Sequence, residues 1–146
     1  MFNMKTFLSF CMAMMMATLT IAQASPVGVW KTIDDKSGKA KSYVEIYKKD
    51  GKLFGKVTKL LLKPEDTICK ECSGDKKNQL VVGMVILEDL QPYKYYWKSG
   101  TILDPENGST YGCSIWFEDG KEDELQVRGK HWSGIFRTQT WYRVKS

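Results

Sequence analysis

From Val27 to Val144 the chain is a succession of short runs in which apolar and polar side chains alternate. The runs are separated by turn pairs such as Asp50-Gly51, Asn107-Gly108 and Asp119-Gly120. Alternation with period two sends successive side chains to opposite faces of a strand, whereas a surface helix needs apolar residues three and four apart. No stretch of this region keeps the helical spacing, so the chain reads as all-β. The expected strands are Val27 to Ile33, Ser42 to Lys48, Leu53 to Leu60, Leu80 to Leu87, Tyr93 to Trp97, Thr101 to Leu103, Ser109 to Phe117, Leu125 to Arg128 and Ile135 to Val144. In the second of these, Val44 and Ile46 share one face and Tyr43, Glu45 and Tyr47 the other. A path of sequential hairpins hides its edges best by closing on itself. The expectation is therefore a single antiparallel up-and-down β-barrel of about eight strands, with a two-sheet sandwich as the competitor. Gly28-Val29-Trp30 and the run Phe136 to Val144 would form its seam. A barrel of this size is either filled by its own side chains or holds one small ligand.

The first residues have a different character. Lys5 gives a short basic start, Phe7 to Ile21 is apolar and rich in methionine, and Ala22-Gln23-Ala24 has the small-x-small form of a cleavage site. Residues 1–24 are expected to be a secretory signal peptide, because the apolar run falls short of the roughly 20 residues that span a bilayer. Bulky Phe10 before Cys11 disfavours lipid attachment. Cleavage near Ala24 would leave residues 25–146 as one domain, exported to the periplasm or beyond the cell, with no transmembrane segment. The formal charge of +5 is spread as lysines scattered among acids, and no basic stripe suggests nucleic acid as a partner.

Of the four cysteines, Cys11 lies in the leader, which leaves Cys69, Cys72 and Cys113 for an oxidising compartment. Cys69 and Cys72 share a polar loop, and a local disulfide between them is favoured; a bond from Cys113 to either is the alternative. A zinc site of the three cysteines with His131 can be drawn, but the second half lacks ligand spacing and export favours oxidation. His131 is the lone histidine and the obvious acid-base candidate. A triad with Ser133 and Asp123 can be sketched, yet there is no Gly-x-Ser-x-Gly elbow. No residue set dictates a reaction and no cofactor is expected, so binding or structural work is favoured over catalysis. The aromatic run Tyr93, Tyr95, Tyr96 and Trp97 must place rings on both faces of its strand. It is the candidate ligand or partner surface.

Nearly the whole expected domain, Gly28 to Val144, resembles family 2147 of the domains of unknown function, small exported bacterial proteins. The match is carried by Gly28-Val29-Trp30, Val44-Glu45-Ile46-Tyr47, Leu53-Phe54-Gly55-Lys56-Val57, Ile102 to Gly108, Thr110-Tyr111, Leu125 to Gly129 and Phe136 to Trp141. Many members have a cysteine where this chain has Phe54, so a disulfide through that position is not available here. More distantly, Gly28-Val29-Trp30 with a late arginine is similar to lipocalins. There the first-strand tryptophan packs under an arginine of the last strand. The resemblance implies that Trp30 and Arg143 form this structural lock, with Arg137 as second choice. The combined expectation is a lipocalin-like barrel that binds an apolar or amphipathic molecule, or an envelope component, without turning it over. The alternatives are a filled barrel used for protein interaction, and an enzyme or metal protein built on His131 and the cysteines.

Overall fold

A computed structural model describes residues 23–146. The expected signal peptide, residues 1–24, lies outside the described residues except for its last two positions. The described chain has eight strands: β1 (Gly28–Ile33), β2 (Ala40–Lys49), β3 (Lys52–Leu60), β4 (Val85–Tyr93), β5 (Tyr96–Leu103), β6 (Thr110–Phe117), β7 (Glu124–Lys130) and β8 (Phe136–Arg143). Each pairs antiparallel with its neighbour in sequence, and β8 returns to β1, so the sheet is a closed barrel. The seam is short: Trp30 faces Arg143 and Lys31 faces Tyr142. The Val144 N–H extends it by donating to the Val29 carbonyl at 2.9 Å.

The alternation read from the sequence sets the walls. In β2, Ser42, Val44 and Ile46 are buried while Tyr43, Glu45 and Tyr47 are half-buried on the outer face. Asp50 and Gly51, with φ of 52° and 76°, make the tight turn into β3, a geometry in which glycine carries no Cβ penalty.

Two expected strands are placed differently. Leu80 to Met84 is not a strand, and β4 starts only at Val85. Gly83, at φ 90°, donates to the Val57 carbonyl at 2.6 Å, and Met84 accepts from the Val57 N–H at 2.9 Å. The chain bulges here and tucks Val81 and Met84 into the core. Apolar character in this run thus reflects a plug rather than a two-sided strand. Tyr93 to Trp97 is likewise a hairpin tip, not a strand. Tyr93 ends β4, Tyr96 begins β5, and Lys94 turns the chain with φ 52°. Pro92 sits inside β4, opposite Trp97. Lysine at a positive φ leaves no glycine signal in the sequence, which is why the turn does not announce itself.

The strand directions give the barrel two unlike ends. One carries the turns 50–51, 94–95 and 118–123 together with both ends of the described chain; the other carries the segments 34–39, 61–84, 104–109 and 131–135. Inward side chains shrink or become polar from the first end to the second. Trp30 gives way to Thr32, Ile46 and Val44 to Ser42, and Leu125 and Val127 to Gly129; on β8, Arg143 and Trp141 give way to Gln139. Large side chains fill the first half. Among them are Trp30, Ile46, Leu90, Ile115 and Leu125, all with almost no exposure. The second half is left open.

Candidate functional site

At the open end lies a cavity of about 340 Å³, within the range typical of small-molecule sites. Trp141 forms part of its floor, and Val57, Val81, Ile86, Ile102 and Val127 form an apolar wall. Gly129 opens a further recess, because a Cβ added there would meet only ordinary contacts at 3.5 Å from Ile102 and Tyr111. Polar groups enter at defined heights. Thr32 and Ser42, both buried, join their hydroxyls at 2.7 Å partway up. Gln139 accepts from the Trp141 indole N–H at 3.2 Å and donates to Asp35 at 2.6 Å. Asp35 also pairs with Arg137.

The rim on the β2–β3 side carries Lys41 and Lys63. Their ammonium groups lie 3.3 and 3.4 Å from the same Glu106 oxygen. Partial burial alone would push the Glu106 carboxyl up, but the two lysines outweigh it and hold it below the ordinary carboxylate range. Glu106 is itself held by a turn in which Asp104 accepts the Glu106 N–H at 2.9 Å. On the opposite rim, Trp132, Ile135 and Phe136 are exposed, the first by 91%.

The loop between β3 and β4 supplies one wall through Leu62, Lys63, Thr67 and Val81. Cys69 and Cys72 are joined there by a disulfide, with Cα atoms 5.4 Å apart and both residues buried. Gly108, at φ 72°, lets the turn between β5 and β6 press against this loop; any Cβ would collide with the Glu71 carbonyl. Cys113 stays free and buried, and burial pushes its thiol up to about 12.

The structure brings Trp30 and Arg143 together at the closed end, with the guanidinium 4.3 Å from the ring centre. Arg143 also donates to the carbonyls of Val27, Ser25 and Glu122 at 3.3, 2.9 and 3.0 Å and pairs with Asp123 at 3.2 Å. Arg137, the second choice for this lock, is at the cavity rim instead. The aromatic candidates do not meet the cavity. Tyr93, Tyr95 and Tyr96 surround the closed-end hairpin, and Trp97 packs edge-on against Phe117, which in turn contacts Trp30. Tyr93 and Tyr95 stay exposed at the tip, and none of the four lines the cavity.

His131 does lie at the mouth, and its Nδ1 is 2.8 Å from Ser133 Oγ. The sketched triad is not assembled, because Asp123 is at the other end, bound to Lys145 and Arg143. The zinc sketch fails too, since Cys69 and Cys72 are consumed by the disulfide. Among the described residues no group of three or more His, Cys, Asp or Glu is placed to hold a metal. Among the same residues no helix is long and apolar enough to cross a membrane. Sequence reasoning missed Lys41, Lys63, Glu106 and Gln139. Gln139 shares the inward register of Trp141, whereas Lys41, Lys63 and Glu106 meet only because the ends of β2, β3 and β5 come together at the mouth.

A search of curated proteins found no match. Among solved structures, protein HP1028 from the human pathogen Helicobacter pylori, described as belonging to the lipocalin family, superposes with a TM-score of 0.72. It covers 84% of this chain and 85% of its own at 21% identity, a likeness of fold. The barrel is thus eight-stranded, antiparallel and lipocalin-like, an architecture compatible with holding a small molecule. Residues 28–143 match the family described as "Uncharacterized protein conserved in bacteria (DUF2147)", and the chain belongs to that family.

Proposed function

We propose that the protein is an exported carrier or sensor that binds an apolar or amphipathic small molecule in its open half and does not turn it over. The observation that carries this reading is the cavity itself: an apolar floor and wall beneath a charged rim, in a barrel whose other half is fully packed. Apolar enclosure supplies affinity in proportion to the area removed from water, and a few fixed polar groups orient the guest. The leader motif in residues 1–24 supports export, and the Cys69–Cys72 disulfide suits an oxidising compartment. The lipocalin assignment of the Helicobacter pylori protein supports the same class of work by fold likeness. A filled barrel is disfavoured by the open half, and hydrolysis by the separation of His131 from Asp123.

The test is titration with the neutral fluorophore 1-aminoanthracene, run beside Gly129→Leu. Wild-type protein is expected to enhance its emission. The leucine, projecting into the recess without strained backbone, is expected to weaken binding at least about tenfold, the scale of 1.4 kcal/mol. Equal binding by both proteins would place the guest elsewhere. An apo monomer from its own compartment that binds no probe would remove the ligand reading.

A further inference from the structure

We infer that the ligand is a single-chain amphipath with an anionic head group, and that Lys41 and Lys63 receive the head; this rests on the ligand-binding reading above. Lys41 stands near the open end of β2 and Lys63 just beyond the end of β3. The Leu61 N–H donates to the Lys41 carbonyl at 2.9 Å, which ties the two segments together. Both ammonium groups converge on one Glu106 oxygen, at 3.3 and 3.4 Å. Two unit positive charges against one negative charge leave an excess of one. Each ammonium also has three N–H donors, of which the shared carboxylate oxygen engages one.

A further cation at the mouth, a guanidinium, is matched. Arg137 has its own carboxylate in Asp35, which also receives Gln139. Asp104 accepts the Glu106 backbone N–H and keeps its negative charge, and His131 is engaged by Ser133. Among the described residues Glu106 is thus the one carboxylate in ion-pair contact with the Lys41 and Lys63 ammonium groups, while Asp34 and Asp104 lie farther off. Directly below the two lysines, Leu60, Leu62 and Val81 begin the apolar wall. The side chains of Lys41, Lys63 and Glu106 are 31, 50 and 43% exposed, so a head group there keeps partial hydration while its chain is enclosed. A cationic head would meet the same excess as repulsion. A neutral head would gain hydrogen bonds without Coulomb attraction. The selectivity expected is that of a unit charge a few ångströms away near a protein surface, about tenfold in affinity.

The experiment compares three guests with one chain length and different heads: decanoate, decanol and decyltrimethylammonium. Each displaces 1-aminoanthracene from wild type, Lys41→Gln/Lys63→Gln and Glu106→Gln, with thermal melts confirming that the variants fold. The expected order in wild type is decanoate tighter than decanol by about tenfold, and decyltrimethylammonium weakest. The double lysine variant should lose the preference for decanoate while binding decanol as wild type does. Glu106→Gln should bind decanoate still more tightly, a gain that a merely structural role for these residues does not give. Equal binding of all three heads, with decanol still bound, would overturn the head-group assignment and leave the cavity reading standing. A decanoate preference that survives in the double variant would move the head to another group and also overturn it. No displacement by any guest, together with no binding of the probe, would sink the cavity reading and this inference with it.

Discussion

Replacing Arg143 with alanine removes a guanidinium that joins three parts of the closed end. Its central carbon, Cζ, lies 4.3 Å from the centre of the Trp30 ring, and Trp30 is fully buried. A guanidinium over an indole contributes about 1 kcal/mol when partly desolvated. The three backbone carbonyls it serves, on Ser25, Val27 and Glu122, each lose a hydrogen bond from a charged donor. In full burial such bonds contribute about 1.5 kcal/mol or more each. The Arg143 side chain is 23% exposed and water can replace part of them, so about 2 kcal/mol is the reasonable total for the three. The ion pair with Asp123 is exposed and is left out of the sum. The expected loss is thus about 3 kcal/mol, or about 10 °C in Tm for a domain of this size. Urea unfolding followed by far-UV circular dichroism measures it. A cycle with Trp30→Leu isolates the ring contact, and its coupling is expected near 1 kcal/mol. Coupling below about 0.3 kcal/mol, the scatter of independent sites, would show that the two residues are neighbours without being a lock.

Other perturbations have equally definite outcomes. Cys69→Ala/Cys72→Ala opens a short covalent loop; the chain-entropy relation gives a loss of about 2 kcal/mol, read by denaturant unfolding under non-reducing conditions. An unchanged midpoint would mean that the contacts with Pro105 and Gly108 hold the loop by themselves. Glu106 has a folded pKa below its ordinary 4.5, so its pairing stabilises the fold above that value and the contribution disappears as pH falls through the lowered one. Glu106→Gln should therefore flatten this part of the acid limb of Tm against pH, and an unaltered slope would show that other carboxylates carry it. Cys113, buried with its thiol pushed up to about 12, should resist iodoacetamide in native protein and react on unfolding; rapid native labelling would contradict its burial.

The barrel was legible because its information is local and repeated. Alternation at Val44 and Ile46, the turn at Asp50-Gly51 and the terminal segments each specify a strand, a connection or a seam without reference to distant residues. The site was not legible for a complementary reason. Lys41, Lys63 and Glu106 come from three separate strand ends and look, in sequence, like ordinary solvated turn residues. The cavity itself is an absence of volume, produced by Thr32, Ser42 and Gly129 standing where inward positions elsewhere carry tryptophan, isoleucine or leucine. None of these small residues signals anything until the inward register aligns them at one height. The aromatic run Tyr93 to Trp97 was conspicuous for the opposite reason: large rings stand out in a sequence, yet here Trp97 packs in the closed half and Tyr93 and Tyr95 stay exposed at its tip, away from the cavity.

The central claim is that the open half of the barrel is the binding site, and the most direct measurement is a titration of isotope-labelled protein with decanol, followed by two-dimensional amide NMR. The expected result is concentration-dependent shifts at Val57, Val127, Gly129 and the Trp141 indole N–H, with Trp30 and Tyr95 unmoved. Shifts centred on Tyr93 to Trp97, with the cavity residues silent, would contradict the account.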